Sequence, residues 1–182
     1  MCVRKIFLGM CVGFVLAMFS LAQENQFISY SVNGKKFHLT DVKLQSSGEN
    51  GYFHLEGIKK ERVDFGADHY PRYRDMEVGI TVEVSPENSI AGTHTAHSSD
   101  IMPVYVNWYE TVKSQNKTEI KEILASMDSG SEDMLEFTVT FENTGPIGTI
   151  IKGTFTGKLL DEEGNPYTIS DGKFVIKLTE IE

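Results

Sequence analysis

The sequence predicts an all-β protein, mainly an antiparallel β-sandwich of eight or nine strands with one short helix, and a β-barrel is the alternative fold. Two observations predict this class. Short runs alternate apolar and polar residues, as strands with one buried face do. Gly, Asn and Asp separate the runs at short intervals, which is typical of sandwiches and barrels.

Three turns connect runs that show this alternation. The dipeptides Asn33-Gly34 and Asp171-Gly172 suit the positive φ angles of a type I′ turn, so each predicts a β-hairpin. The acidic stretch from Asp161 to Pro166 predicts a third turn. The predicted strands are 27–32, 36–44, 52–58, 76–84, 103–112, 134–141, 149–160, 167–169 and 173–178.

One segment departs from the period of two. Ile120, Ile123, Leu124 and Met127 recur at helical spacing, and Asn116 with Glu119 resembles a capping box in front of them. The spacing predicts a short helix over 117–127 that lies across a sheet with its apolar stripe in the core.

The first 22 residues have the features of a secretory signal peptide. Arg4 and Lys5 form the positive start, Ile6 to Phe19 form an apolar run, and Ser20-Leu21-Ala22 supplies small residues for cleavage. The run is shorter than the roughly 18 residues that a permanent membrane span needs. A lipid anchor at Cys11 is the alternative, although Met10 is bulky for that site. The protein is therefore expected to be exported, whether periplasmic, outer-membrane associated or secreted.

Residues 23–182 are expected to form a single all-β domain without disulfides. Both cysteines, Cys2 and Cys11, lie in the leader, so the mature chain lacks a disulfide framework, a thiolate zinc site and a cysteine nucleophile. Removal of Arg4 and Lys5 leaves 15 of the 17 basic residues against 26 acidic ones, a net charge of about −11. This acidity argues against nucleic acid as a partner, and no transmembrane span is expected after cleavage. The oligomeric state stays open.

Two C-terminal stretches, Lys152–Leu159 and Ile169–Phe174, resemble a pattern in uncharacterised exported proteins of Bacteroidetes-type bacteria. In those proteins a strand reading G-T-F-x-G-x-L is followed by a hairpin that ends I-x-D-G-K-F. Tyr30–Lys35 and Ala91–Thr95 are also similar to that group, which usually has Tyr at the position of His94. The resemblance implies an all-β sandwich outside the cytoplasm and no catalytic residue.

A basic and aromatic stretch, from His69 to Arg74, is the first candidate binding site. Guanidinium groups and aromatic rings together suit a carboxylate-bearing glycan or a protein hot spot. The alternative is a loop that folds back on the sheet, with its arginines paired to neighbouring aspartates. The candidate ligand-binding residues are Tyr70, Arg72, Tyr73 and Arg74.

The run Val104–Tyr109 gives a second candidate binding site. Alternation places Trp108 and the valines on the buried face, and Tyr105, Asn107 and Tyr109 on the other face. Exposed tyrosines of this kind suit stacking against a sugar, because each offers an apolar ring and a polar tip. Simple cross-strand pairing of the two tyrosines is the alternative.

A third candidate is a metal site. His94 and His97 are three residues apart and Asp100 follows, so the three would complete a facial set of nitrogen and oxygen ligands. The alternative is a solvated loop, since a helical His-Glu-x-x-His frame is missing.

The sequence lacks a nucleophile elbow, a phosphate-cradling loop and a dinucleotide-binding fingerprint. We therefore expect a non-catalytic protein, without a cofactor, that binds an unknown protein or glycan at the cell envelope. A lipocalin-like β-barrel that carries a small apolar ligand is the main alternative. A metallohydrolase that uses His94 and His97 is a further one.

Overall fold

The computed structural model describes residues 25–47, 51–63, 72–84, 89–95, 101–114, 117–127 and 136–180, and every helix or strand element in these ranges is a β-strand. The all-β class is therefore confirmed, with more strands than the sequence predicts. The strands are β1 (Phe27–Val32), β2 (Lys35–Leu39), β3 (Asp41–Ser46), β4 (Tyr52–Val63), β5 (Arg72–Glu83), β6 (Gly92–Thr95), β7 (Ile101–Ser114), β8 (Lys117–Ser126), β9 (Phe137–Phe141), β10 (Ile150–Asp161) and β11 (Pro166–Glu180).

The strands belong to one mostly antiparallel sheet, in the order β2-β1-β11-β3-β4-β5-β7-β8-β10-β9-β6, and β11 also pairs with β10. The extra pairing closes a ring that has two short junctions. At one, Leu178–Glu180 runs parallel to Leu44–Ser46, and at the other, Leu160 and Asp161 pair with Ser126 and Ala125. The sheet therefore closes on itself. We call the strands on either side of the two junctions, β2-β1-β11-β10-β9-β6 and β3-β4-β5-β7-β8, its two layers.

Both layers contribute to one hydrophobic core. A Cβ atom placed on Gly57 of β4 would lie 2.8 Å from Cδ1 of Ile28 and 2.9 Å from Cδ1 of Leu39, so β4 faces β1 and β2. On the other side of the core, the Trp108 ring meets the Tyr167 ring edge-on, with centroids 4.9 Å apart. The layers therefore face each other across this core.

The Asn33-Gly34 turn is confirmed. Asn33 has a φ of 47° and Gly34 a φ of 83°, both in the left-handed region, and β1 pairs with β2 directly across them. The predicted strand 36–44 is divided at Thr40 into β2 and β3, which belong to different layers.

The hairpin predicted at Asp171-Gly172 is wrong. β11 runs through this point, and Asp171, with a φ of 54°, forms an irregularity at which the register with both β1 and β10 shifts. Strands pair with β11 on both edges, so the residue with positive φ bends β11 as a bulge and does not reverse it.

Glycine and phenylalanine lie opposite each other in the C-terminal stretches that carry the family resemblance. Gly153 of β10 pairs with Phe174 of β11, and Phe155 pairs with Gly172. A Cβ atom on Gly153 would collide with Cζ of Phe174, and one on Gly172 would collide with the backbone oxygen of Phe155. Each glycine therefore leaves room for the ring opposite, which gives a packing reason for this pattern.

The helix predicted over 117–127 is wrong, because Lys117–Ser126 forms β8. This strand pairs with β7 from Ser114–Lys117 to Tyr105–Ser126, and buried Ile123 and Ala125 flank exposed Leu124. A short apolar run fits both the helical period of 3.6 residues and the strand period of two. Pairing with the long strand β7 makes this segment a strand. Asn116, half of the supposed capping box, lies outside the described residues.

Candidate functional site

The outward surface of β4, β5, β7 and β8 contains the candidate residues Tyr105 and Tyr109. Registers place Glu56, Gly79, Tyr105 and Ser126 in one row across the four strands, and Ile58, Glu77, Asn107 and Leu124 in the next row. We call this surface the tyrosine face and define it by Glu56, Ile58, Glu77, Gly79, Tyr105, Asn107, Tyr109, Glu122 and Leu124.

Tyr105 lies against the backbone of Gly79 on the neighbouring strand. A Cβ atom on Gly79 would collide with Cε1 of Tyr105 and lie 2.8 Å from its hydroxyl oxygen. The ring is half-buried, and burial, followed by the negative charges of Glu77 and Glu56, raises the pKa of Tyr105. The glycine thus allows an aromatic ring to lie close to the sheet while part of it stays in contact with solvent.

Asn107 and Tyr109, the next two residues of β7 on this side, donate to the same carboxylate oxygen of Glu122. The Tyr109 hydroxyl donates to Oε1 of Glu122 at 3.0 Å, and Nδ2 of Asn107 donates to the same oxygen at 2.9 Å. The other side-chain atom of Asn107, Oδ1, is buried and has no hydrogen-bond partner among the described residues. These bonds fix the orientation of the Asn107 amide, because a flipped amide would point its oxygen at the carboxylate.

Negative charge and apolar surface lie side by side on the tyrosine face. Burial and then the charges of Glu56, Asp75 and Glu122 raise the pKa of Glu77, so these carboxylates interact through space. Beside them, Leu124 is 42% exposed. The face therefore combines an accessible ring, an exposed aliphatic side chain and several hydrogen-bond acceptors.

A cleft of about 310 Å³ adjoins the tyrosine face between β8 and the turn that joins β10 to β11. Lys121 is the one basic side chain in its lining, and its ammonium group donates to Oε1 of Glu163 at 3.4 Å. Both groups are well exposed, so this pair is weak. The lining consists of Lys121, Glu122, Ile123, Leu124, Asp161, Glu162 and Glu163.

Asp161 organises the turn at the edge of the cleft. Its Oδ1 accepts from the backbone amides of Glu163 and Asn165 at 3.0 and 2.8 Å, and its Oδ2 accepts from Nδ2 of Asn165 at 2.9 Å. The Tyr167 hydroxyl also donates to Oδ2 at 3.3 Å. Burial acts to raise the pKa of Asp161, but these hydrogen bonds outweigh it and lower the pKa below its ordinary value. The turn predicted at this place is confirmed, and Asp161 holds it together.

The two predicted binding stretches have different outcomes. Burial of Val104, Val106 and Trp108 confirms the predicted inward positions of this run, and Tyr105 lies on the opposite face. Tyr109 is partly buried and packs against the core, while its hydroxyl reaches Glu122. The loop predicted from His69 to Arg74 is wrong in its last three residues, because Arg72, Tyr73 and Arg74 lie in β5 opposite Val63, Arg62 and Glu61. The long ladder with β4 extends the strand to this point. Tyr70 lies outside the described residues, and so do the side chains of the other three.

The proposed metal ligands are only partly described. His94 lies on β6, where its Nε2 is 2.9 Å from the carbonyl oxygen of Ile90, and its ring meets that of Phe141 edge-on. His97 and Asp100 lie outside the described residues. Within the described ranges, no group of three His, Cys, Asp or Glu side chains converges as a metal site would require.

Sequence reasoning missed Glu56, Glu77, Gly79, Glu122 and Leu124. For Glu77 and Gly79 a signal existed, since both alternate with the predicted inward positions of their strand. Glu122 and Leu124 were missed because residues 117–127 were predicted to form a helix. The pairing of Gly79 with Tyr105 depends on strand register, which the sequence does not reveal.

No family model matches this chain, and no curated protein or solved structure is significantly similar to it. The described residues contain no helix that is long and apolar enough to cross a membrane.

Proposed function

We propose that this protein is exported and non-catalytic, and that its tyrosine face binds a protein or glycan ligand at the cell envelope. One observation carries the proposal: Tyr105 lies over Gly79 with carboxylates around it and exposed Leu124 nearby. Such a surface offers a ring for stacking, aliphatic area for burial and acceptors for hydrogen bonds. Export rests on the signal-peptide features of residues 1–22.

The charges favour one kind of ligand. Glu56, Glu77 and Glu122 are hydrogen-bond acceptors, so they suit a ligand that presents N–H or O–H donors. Their negative charge adds attraction for a cation, and a tyrosine ring attracts a cation through its face. A ligand with Lys or Arg side chains therefore fits this face better than an anionic one.

The alternative of an apolar-ligand carrier has less support. A carrier of this kind needs an internal cavity of a few hundred Å³. In the described part of the chain, large side chains fill the space between the layers, among them Tyr30 stacked on Phe37 and Trp108 against Tyr167. The cleft beside β8 is on the outside of the sheet.

Binding to defined glycan and peptide arrays tests the proposal. The purified protein is compared with Tyr105→Ala and Glu77→Gln, and Tyr52→Ala serves as the matched control because Tyr52 is also half-buried on β4 but pairs with Glu83, away from the site. We expect Tyr105→Ala to weaken binding about tenfold or more, as truncation of a buried aromatic hot spot does. Retention of no array member, or equal binding by all four proteins, would overturn the proposal.

A further inference from the structure

Three neighbouring strands, β6, β9 and β10, carry the same short motif of two threonines separated by one residue. The motif occupies Thr93–Thr95, Thr138–Thr140 and Thr154–Thr156. Strand register aligns the motifs in two rows across the strands, which are Thr93, Thr140 and Thr154, and then Thr95, Thr138 and Thr156. The middle residues Val139 and Phe155 are buried, so the threonines of β9 and β10 lie on the side of the sheet away from the core.

The threonine hydroxyls are accessible from this side. Thr93, Thr154 and Thr156 are exposed, whereas Thr138 and Thr140 are half-buried. The hydroxyl oxygens of Thr93 and Thr140 lie 3.0 Å apart and form one hydrogen bond. Since each hydroxyl has one donor and two acceptor positions, this pair still offers a donor and several acceptors. The rows can therefore both donate to a ligand and accept from it.

Lysine residues border the threonine rows. Lys173 of β11 pairs with Thr154, Lys158 follows Thr156 as the next outward residue of β10, and Lys36 lies on β2. All three lysines are exposed, and within the described part of the chain their ammonium groups make no ion pair. We call this surface the threonine–lysine face and define it by Lys36, Thr93, Thr138, Thr140, Thr154, Thr156, Lys158 and Lys173.

The positive charge of this face contrasts with the acidity of the whole chain, which has a net charge of −9. Of the carboxylates beside the face, Asp171 accepts a hydrogen bond from the Ser170 hydroxyl at 3.2 Å. Glu136 and Glu142 come directly before and after β9, at the margin of the face. The ammonium groups of the face are thus available to a ligand, and charge complementarity favours an anionic one.

The chemistry and size of the face fit a polysaccharide. Six strands from β2 to β6 span about 24 Å, which is wide enough for a chain of several sugars. Among the described residues, the exposed large apolar side chains are Leu124 and Ile147, and neither lies on this face. It therefore lacks the apolar anchors that a protein partner or a membrane surface uses. Sugar hydroxyls pair with threonine hydroxyls, and carboxylates accept charge-assisted hydrogen bonds from lysine.

We propose that the threonine–lysine face is a second binding site, which takes a polysaccharide that carries carboxylate groups. This inference goes beyond the proposed function, because the face belongs to the other layer from the tyrosine face and takes a ligand of the opposite charge. Lys173, beside the threonine rows, binds a carboxylate of the ligand. Thr154, between Lys173 and Thr140, bonds to its sugar hydroxyls.

Fluorescently labelled alginate fragments, which are chains of uronic acids, are the probe, and dextran of matched length is the neutral control. We expect Lys173→Glu to weaken alginate binding about tenfold or more, because it replaces a charge-assisted hydrogen bond with repulsion. Thr154→Val keeps the shape of the side chain and removes its hydroxyl, so binding should weaken about fivefold.

Matched variants away from the face control for both changes. Lys59→Glu reverses the charge of an exposed lysine on β4, and Thr144→Val removes a hydroxyl from an exposed residue of the loop between β9 and β10. Both should bind alginate as the wild type does. Near-ultraviolet circular dichroism checks that the variants are folded.

Methyl NMR spectra of the wild-type protein give a reading that does not depend on any variant. Alginate should shift the threonine methyl signals of Thr140 and Thr154 and leave that of Thr144 in place. Alginate binding without a shift of the Thr154 signal would overturn the inference. So would equal binding of dextran, or equal binding of polyacrylate, which carries carboxylates without sugar hydroxyls.

Further outcomes separate this inference from the proposed function. Alginate binding that is lost in Lys173→Glu and kept in Tyr105→Ala supports the second site, whatever the tyrosine face binds. The reverse pattern places the glycan on the tyrosine face and overturns the inference. Binding to phosphatidylglycerol vesicles, or assembly of several copies of this chain, that requires Lys173 and occurs without alginate binding also overturns it.

Discussion

Two buried glycines allow the packing of the layers to be tested by one methyl group each. In Gly153→Ala the new Cβ would collide with the backbone oxygen of Thr140 on β9, as well as with Phe174. In Gly57→Ala the new Cβ would meet only side-chain ends, Cδ1 of Ile28 at 2.8 Å and Cδ1 of Leu39 at 2.9 Å. A methyl terminus can move aside by rotation, whereas a ladder carbonyl can move only with its strand.

The two substitutions should therefore differ in cost. Overpacking a core costs about 1–3 kcal/mol, and alanine regains about 0.5–1 kcal/mol over glycine through backbone entropy. We expect Gly57→Ala to lower the free energy of unfolding by about 1 kcal/mol or less. Gly153→Ala should lower it by about 2 kcal/mol, which corresponds to about 4–8 °C in Tm for a chain of this size.

Urea unfolding followed by tryptophan fluorescence measures both values. Trp108 is the only tryptophan and is 1% exposed, so its emission reports on the core. Lys158→Ala, at an exposed position of β10, is the control and should stay within about 0.5 kcal/mol of the wild type. If Gly153→Ala proves as stable as Gly57→Ala, the close approach of β9 and β10 at this position is wrong.

Three further substitutions address single polar groups. The Tyr30 hydroxyl is buried without a hydrogen-bond partner among the described residues, so Tyr30→Phe should raise the free energy of unfolding by about 1 kcal/mol in the same urea assay. The folded-state pKa of Asp161 is lowered. The Asp161 carboxylate therefore makes its full contribution to the free energy of unfolding at pH values above the unfolded-state pKa of about 3.9, and loses it as the pH falls through the folded-state pKa. Asp161→Asn should therefore cost about 1–3 kcal/mol at pH 7 and progressively less in acid; a cost independent of pH would contradict this. The folded-state pKa of Glu77 is raised above its ordinary value of 4.5. Its negative charge therefore lowers the free energy of unfolding at pH values above the raised pKa and has no effect below pH 4.5. Glu77→Gln should gain about 0.2–1 kcal/mol at pH 7 and nothing in acid, which thermal unfolding at both pH values measures.

The sequence predicts well those features that depend on near neighbours. The alternation in Val104–Tyr109 correctly separates buried from outward side chains, because a strand repeats every two residues whatever it pairs with. Asn33-Gly34 correctly predicts a tight turn, since its φ angles are a local requirement. Asp171-Gly172 has the same local signal but forms a bulge, because strands on both sides keep β11 extended.

Two parts of the candidate site that sequence reasoning missed, Leu124 and the pairing of Gly79 with Tyr105, depend on distant neighbours. Leu124 is outward only because β8 is a strand, and β8 is a strand because β7 offers it a ladder along its length. Gly79 matters only because Tyr105 lies opposite, a register that no local pattern determines. The resemblance to exported Bacteroidetes-type proteins stays a prediction.

The position of the candidate site follows from where the ladders end. β5 and β7 stop pairing at Glu77 and Asn107, although β7 continues to Ser114. Past this point the carbonyl oxygen of Tyr109 accepts a hydrogen bond from the Lys35 ammonium group at 3.2 Å, in place of one from β5. The Tyr109 carbonyl oxygen, beyond the end of the ladder with β5, thus bonds to a side chain of the other layer.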